Sequence, residues 1–467
     1  MMANGGESIN DALRKLLQDL YNCQESDFST ISKILSDFRI LTREKTLDHE
    51  LLDEKCIIEL TNHSENLHTE AQKCLSNLIL NYSHLRDKVI EPYVSCFERR
   101  LKTVLSDKNP IKHETSRKQL CEVLHYDLRI VFLLSALCAS QRARIRDRLL
   151  EPILELTREE AAKFSHDNYL LVVECLKTLF NLTLDKCVNK SLVGDVIKKL
   201  FSVVGTENDM IDDCKTNSEP DQTDRLLVNL IHLLTNMPDE VYLRLSYEDV
   251  DKILNHLDNQ LKSYSKHCFR DTVLPVLNVC ANVCKHNPEI QKRWFEEIIA
   301  SAKDFEKRPE EYDNLRGRLV RLMTSVDVHI KDIAAEFMHA LCGGDTEKFI
   351  TYTGFGNSAA FLSSRGLLLG KDRRKVDDRS DLDFAGNTDY QQIRDKIDPI
   401  TGKLETPKKN PMEGMTEEEK EYHAHELADA ITKLSNLGVV KPMSVDQDGR
   451  MTELQPGFSE ATGEKNG

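Results

Sequence analysis

The sequence predicts an all-α solenoid. Three observations predict it: where the glycines fall, a helical segment that recurs, and a polar stripe on helices that are otherwise apolar. Between residues 7 and 342 the only glycines are Gly194, Gly205 and Gly317, whereas residues 343–467 hold fourteen. Parallel α/β folds need glycine-bearing turns after their strands, and β sandwiches need frequent turn residues; long helices joined by polar loops need neither. The first 342 residues therefore read as helical throughout.

Four segments share one texture: AQKCLSNLILN (71–81), LVVECLKTLFNLTLD (171–185), DRLLVNLIHLLTNMP (224–238) and VLPVLNVCANVCKH (273–286). RIVFLLSALCAS (129–140) and IAAEFMHALCG (333–343) are looser versions. Aligned on Asn77, Ala136, Asn181, Asn236, Asn282 and Ala340, they recur at intervals of 59, 45, 55, 46 and 58 residues. A two- or three-helix armadillo or HEAT unit takes about 40–47 residues, so these intervals suit such units with loops inserted. Each segment is apolar enough to be buried on most sides. Residues 1–344 are thus expected to form an armadillo/HEAT-like right-handed superhelical solenoid.

The stripe is polar and regular. Glu174, Thr178, Asn181 and Asp185 share one helix face, as do Lys73, Asn77 and Asn81, then Arg225, Asn229, His232 and Asn236, and finally Asn278, Asn282 and Lys285. Stacked in a solenoid, such stripes are expected to line a continuous concave groove. Asparagine suits a peptide groove because its carboxamide both donates and accepts hydrogen bonds. The same side chain can also bond a neighbouring helix end.

Past Gly343-Gly344 the texture changes. YTGFGNSAAFLSSRGLLLG (352–370) contains no G-x-x-x-x-G-K-[ST], and Ala359 leaves G-x-G-x-x-G incomplete, so residues 345–370 read as a glycine-containing turn and short helix closing the solenoid. Residues 371–415 are charged, poor in aromatics and carry Pro399, Pro407 and Pro411: a flexible linker. Thr416 and Glu419 then form a capping box that starts a helix expected to run to Asn436, with Gly438 and Pro442 ending it. This amphipathic segment (416–440) presents Leu427, Ala430, Ile431, Leu434 and Leu437, a face that must fold back or dock onto a partner. Residues 441–467 read as a disordered tail.

Composition narrows the function. Of 467 residues, 40% are hydrophobic and 30% charged, and 63 Lys and Arg against 78 Asp and Glu leave a net charge of -15. That balance argues against nucleic acid, whose binding is driven by Lys and Arg. No stretch approaches the ~20 apolar residues of a membrane span, and MMANGGESIN lacks the basic and apolar regions of a signal peptide. Thirteen cysteines without a CxxC suit reduced, buried thiols in a cytoplasmic protein. His423 and His425 lie on different helix faces, His63 and His68 are isolated, and no nucleophile–base set has recognisable spacing. No cofactor, metal or covalent catalysis is expected.

NPMEGMTEEEKEYHAHELADAITKLSNLGVVKPM (410–443) closely resembles the C-terminal signature of the synembryn family, the resistance-to-inhibitors-of-cholinesterase proteins. So do KFITYTGFGNSAAFLSSRGLLLG (348–370), RGRLVRLMTSVDVHIKDIAAEFMHALC (316–342), HYDLRIVFLL (125–134), ECLKTLFNLTLD (174–185) and FRILTRE (38–44), in order along the chain. The resemblance implies a receptor-independent guanine nucleotide exchange factor and folding chaperone for heterotrimeric G-protein α subunits. It implies that the solenoid groove grips the last helix of the α subunit, while later segments contact its nucleotide-binding domain. The partner is expected in its GDP-bound and nucleotide-free states. A monomer is expected, with no membrane insertion, in the cytoplasm and recruited to the cell cortex through that partner.

Carried over by position, the groove residues are Arg39, Arg43 and Asn77, to which the ladder adds Arg129, Asn181 and Asn236. Arg39 and Arg43 are four apart, as a helical cation pair for a terminal carboxylate would be. The family's linker phosphorylation falls on Ser380, in the acidic context DDRSDLDF, whereas its second position falls on Ala385. The rival reading is an armadillo-type scaffold or adaptor that binds peptides without exchange activity. Import-type adaptors pair an Asn ladder with a Trp ladder, and Trp294 is the only Trp in the chain.

Overall fold

The computed structural model describes residues 8–23, 28–45, 47–48, 50–65, 69–106, 114–185, 188–204, 222–262, 269–300 and 307–367. It also describes 397–398, 401, 403–404, 412, 414–441, 443–445 and 451–453. Ser380 and Ala385 lie outside these residues, as does most of the 371–415 and 441–467 stretches. The chain is an all-α solenoid, divided into two compact units, Met1–Ile253 and Leu254–Gly467.

The first unit contains α1 (Ile9–Asn22), α2 (Phe28–Leu41), α3 (Glu54–Glu65), α4 (Thr69–Asn81), α5 (Arg86–Ser106), α6 (Glu114–Leu137), α7 (Arg142–Ala162), α8 (Tyr169–Leu182), α9 (Lys190–Val204), α10 (Gln222–Thr235) and α11 (Asp239–Tyr242). Two rows emerge. Helices α2, α4, α6, α8 and α10 pack one on the next (the A row), and α3, α5, α7 and α9 do the same (the B row). Each B-row helix also packs against the A-row helix that follows it in the chain. Sequence explains the assignment: α8 buries eleven of its fourteen residues, because neighbours surround it, whereas α7 buries eight of twenty-one along one stripe.

The turns between rows repeat as well. After the 3-10 turns Ser83–Leu85 and Ala139–Gln141, Arg86 Nε donates to the Ile79 carbonyl at 2.8 Å and Arg142 Nε to the Ser135 carbonyl at 2.9 Å. Each arginine thereby covers a helix-end carbonyl that has no partner within its own helix. A separate likeness, RDKVIEPYV (86–94) and RDRLLEPIL (146–154), lies in α5 and α7, on the row opposite to the one that carries the recurring apolar segments.

The division between units falls inside α12 (Tyr247–Lys262). The second unit continues with α13 (Phe269–His286), α14 (Pro288–Phe295) and a π turn (Glu296–Ala300), followed by a 3-10 turn (Pro309–Glu311). After these come α15 (Leu315–Leu322), α16 (Val328–Leu341), α17 (Thr346–Thr353) and α18 (Phe355–Arg365). Here α13 runs along α16, and an aromatic core joins Trp294 to Phe337 (6.2 Å between ring centroids), Phe295 to Tyr352 (5.5 Å) and Phe349 to Phe361 (5.6 Å). Gly317 is required by close approach. A Cβ there would meet the Tyr312 carbonyl and sit 3.1 Å from the Pro309 carbonyl oxygen, both rigid backbone.

Beyond α18 the described pieces are short, apart from α19 (Glu417–Asn436). Thr416 caps α19 with the reciprocal Glu419 bond of a capping box, and Gly438, at φ +69, follows its end. No residue of α19 is buried. Two antiparallel pairs differ from the linker and disordered tail read from composition: β1 (Ile397–Asp398) with β2 (Lys403–Leu404), and β3 (Met443–Val445) with β4 (Met451–Glu453). Their connections, DPITGK and DQDGR, carry the Pro, Gly and Asp-Gly turn signals of hairpins, which the overall charge of these stretches hides.

Candidate partner-binding face

The exposed side of the A row in the first unit is where the expected site residues fall. Near the end of these helices a hydroxyl three or four residues on bonds back to a carbonyl, and the arrangement repeats along the row. Thr42 Oγ1 donates to the Arg39 carbonyl (2.8 Å), Ser135 Oγ to the Phe132 carbonyl (3.0 Å) and Thr183 Oγ1 to the Leu179 carbonyl (2.8 Å). The next A-row helix with an asparagine at the aligned position then reaches back. Asn77 Nδ2 donates to the Arg39 carbonyl (3.3 Å) and Thr42 Oγ1 (3.1 Å). Asn181 Nδ2 donates to the Phe132 carbonyl and Ser135 Oγ (both 3.2 Å), and Asn236 Nδ2 to the Phe180 carbonyl (2.8 Å) and Thr183 Oγ1 (3.4 Å).

Asn77, Asn181 and Asn236 thus have a role within the stack, the neighbouring-helix bond that the sequence leaves open beside the groove. Their amide groups clamp one helix to the one before, and Asn181 and Asn236 are 7% and 9% exposed. Because every helix end poses the same need, a repeated structural clamp leaves the same signature in sequence as a repeated binding site. Asn181→Ala is expected to cost about 1 kcal/mol, the net worth of an intramolecular hydrogen bond, since the Phe132 carbonyl keeps its bond from the Ser135 hydroxyl. Thermal or denaturant unfolding reads the loss; a change within about 0.5 kcal/mol, the range of ordinary surface substitutions, would show that the clamp contributes nothing.

The arginines are placed differently. Arg39, in the last turn of α2, pairs with Glu70 of α4 at 2.7 Å. Arg43 lies two residues beyond the end of α2 at Leu41; it is exposed and has no ion pair among the described residues. Arg129 of α6 pairs with Glu174 of α8 at 3.3 Å while its own side chain stays 43% exposed.

Side chains not expected as a group complete the face. Lys73 pairs with Glu70 (2.8 Å) and Glu122 (3.6 Å), and Lys177 with Glu174 (3.1 Å). Burial works against the charge on Lys73, but its hydrogen bond to Glu70 and the neighbouring carboxylates outweigh that and lift its pKa above the usual lysine value. Aromatic rings flank two of these cations: Tyr126 lies 5.0 Å from Lys73 Nζ and Phe132 5.7 Å from the Arg129 guanidinium; further along the row Phe180 meets the His232 ring edge-on at 6.1 Å. The signal available in sequence was E-x-x-K-x-x-x-N, present at both 70–77 and 174–181.

Among the described residues, no group of three or more His, Cys, Asp or Glu could hold a metal ion, and no single helix is long and apolar enough to cross a membrane. Chemically, then, the face offers cations held in place by carboxylates, with rings between them, along a row of stacked helices.

Fold and face define a helical-repeat solenoid of the armadillo/HEAT type. A family model described as guanine nucleotide exchange factor synembryn matches residues 34–450. Chaperone Ric-8A of Xenopus tropicalis is 31% identical over 424 residues, covering 82% of this chain and 75% of its own length. Chaperone Ric-8A of Mus musculus is 31% identical over 418 residues (84% and 76%), and that of Gallus gallus 27% over 505 residues (97% and 90%). The chain belongs to the synembryn family of guanine nucleotide exchange factors.

Proposed function

We propose that this protein is a receptor-independent exchange factor and folding chaperone for heterotrimeric G-protein α subunits. The observation that carries the reading is the family match across residues 34–450. The A-row face supports it: Arg43 and the exposed sides of Arg39, Lys73, Arg129 and Lys177 suit a helix that ends in a carboxylate. The apolar face of α19 supports a second contact. Leu427, Ile431, Leu434 and Leu437 are exposed by 62, 49, 40 and 75%, and nothing among the described residues of the second unit covers them.

Exchange of this kind needs no acid, base or metal. A factor that binds the nucleotide-free conformation more tightly than the GDP-bound one shifts the partner toward loss of GDP. By reciprocity, GTP binding weakens the factor's hold and releases it. The same preference for an opened partner gives chaperone activity toward newly made α subunits.

The test mixes the full chain with purified, GDP-loaded α subunit and follows nucleotide release. Acceleration, with a stable nucleotide-free complex that GTP dissolves, is the expected result. Binding at an unchanged release rate would instead identify a scaffold.

A further inference from the structure

α19 differs from the helices of the stack in what holds it. None of its residues is buried, whereas most of the stability of a protein helix comes from a packed face. A segment with few buried contacts lies at the readily opened end of a protein's range of local stabilities. The support that α19 does have is local: the Thr416–Glu419 capping box and the Lys420–Glu417 pair at 2.7 Å.

Tyr422, in its second turn, is 67% exposed and meets the His423 ring edge-on at 5.6 Å. Among the described residues it is the one exposed tyrosine: Tyr82, Tyr93, Tyr169, Tyr242 and Tyr352 are buried and the others half-buried. Four of the five residues before it are glutamates (Glu417, Glu418, Glu419 and Glu421). On a helix surface its neighbours are the residues three and four away. These are Glu418, Glu419, His425 and Glu426, three carboxylates with no lysine or arginine among them.

We infer that Tyr422 is a phosphorylation site for a tyrosine kinase that selects acids before its target, and that the phosphate is a switch that opens α19. The phenol oxygen attacks the γ-phosphorus of a Mg²⁺-bound nucleoside triphosphate. The bond from that phosphorus to the β–γ bridging oxygen breaks, the diphosphate leaves, and the phenolic proton passes to the base of the kinase. A basic substrate cleft takes the glutamate run by charge complementarity, and a helix without a packed face opens easily enough to enter it.

The product carries about two negative charges at neutral pH, placed beside Glu418, Glu419 and Glu426. Like charges at these spacings destabilise a helix, and Glu419 is also the acid that completes the capping box. With no buried face to oppose the repulsion, α19 opens and its apolar side chains lose their common line. This rests on the proposed contact of α19 with the α subunit, and it gives that contact a means of control.

The test treats the full chain with a non-receptor tyrosine kinase of that preference, Mg²⁺ and ATP. Mass spectrometry maps the phosphate and amide hydrogen exchange follows α19. Phosphate is expected at Tyr422 in the wild type and nowhere in α19 in Tyr422→Phe. Opening of α19 is expected to rise about five- to tenfold, the combined effect of three like-charge pairs. Kinase treatment is expected to slow GDP release promoted by the wild type but not by Tyr422→Phe. In Glu426→Lys the phosphate gains a cation four residues on, so phosphorylation is expected no longer to open the helix. Glu426 is exposed, so that change leaves the fold intact.

An unmodified Tyr422 after kinase treatment would overturn the site. Phosphate at Tyr422 with unchanged hydrogen exchange, or equal opening in Glu426→Lys, would overturn the charge switch. Opening of α19 with undiminished GDP release would overturn its control of exchange. If the untreated chain fails to accelerate GDP release, the exchange reading falls by itself, because mass and hydrogen exchange judge the site and the switch without an α subunit.

Discussion

Asp127→Ala is expected to destabilise the first unit by about 3–5 kcal/mol, the usual cost of leaving a buried charge without its partner. Asp127 is fully buried and pairs with the Arg100 guanidinium, whose other arm donates to the Ser64 carbonyl at 2.6 Å. Gln72 Nε2 and Tyr93 OH each donate to the same carboxylate at 2.7 Å. One side chain thus ties α3, α4, α5 and α6 together across both rows. Removing it strands the Arg100 cation in a low-dielectric interior and takes one acceptor each from Gln72, which keeps the Val123 carbonyl, and Tyr93. Unfolding followed by denaturant or heat reads the loss. The paired replacement Arg100→Met with Asp127→Leu is expected to recover most of it, because an apolar pair carries no desolvation penalty. A small effect of Asp127→Ala alone would mean that water reaches the cluster.

Changing Leu427, Ile431 and Leu434 together to serine is expected to cut exchange activity about a hundredfold and leave the melting temperature unchanged. None of the three is buried, so the fold loses nothing. On docking, each would bury the half or so of its surface now exposed. Full burial of such a side chain contributes about 1.5–3 kcal/mol, so three partial burials sum to roughly 3 kcal/mol, and each 1.4 kcal/mol is about tenfold. GDP release from the α subunit, measured beside a thermal melt, separates the outcomes. A lowered melting temperature would place the face against the protein itself. Unchanged exchange would remove α19 from the partner contact.

Much of this architecture can be read from the residues. Scarce glycine, recurring apolar segments and the Thr416–Glu419 box point to a helical stack and to the bounds of its last helix, because periodicity and capping are local. Contact partners are not local. Asn181 looks alike in sequence whether it meets a peptide or the Phe132 carbonyl, and only packing decides which. The acids that hold the cations were visible as E-x-x-K-x-x-x-N, but Glu70 and Lys73 acquire their meaning from Arg39, which lies in another helix. The strand pairs Ile397–Asp398 with Lys403–Leu404 and Met443–Val445 with Met451–Glu453 were hidden because average charge outweighs a short turn signal.

The asparagine clamps have a direction. Asn77, Asn181 and Asn236 each donate to an acceptor earlier in the chain, and a hydroxyl at or near the end of that earlier helix already bonds one of its carbonyls. As the polypeptide leaves the ribosome, every such helix can finish on its own hydroxyl and wait, closed but ready, for its successor. Assembly can therefore keep pace with synthesis, without any of these joints depending on a stretch not yet translated.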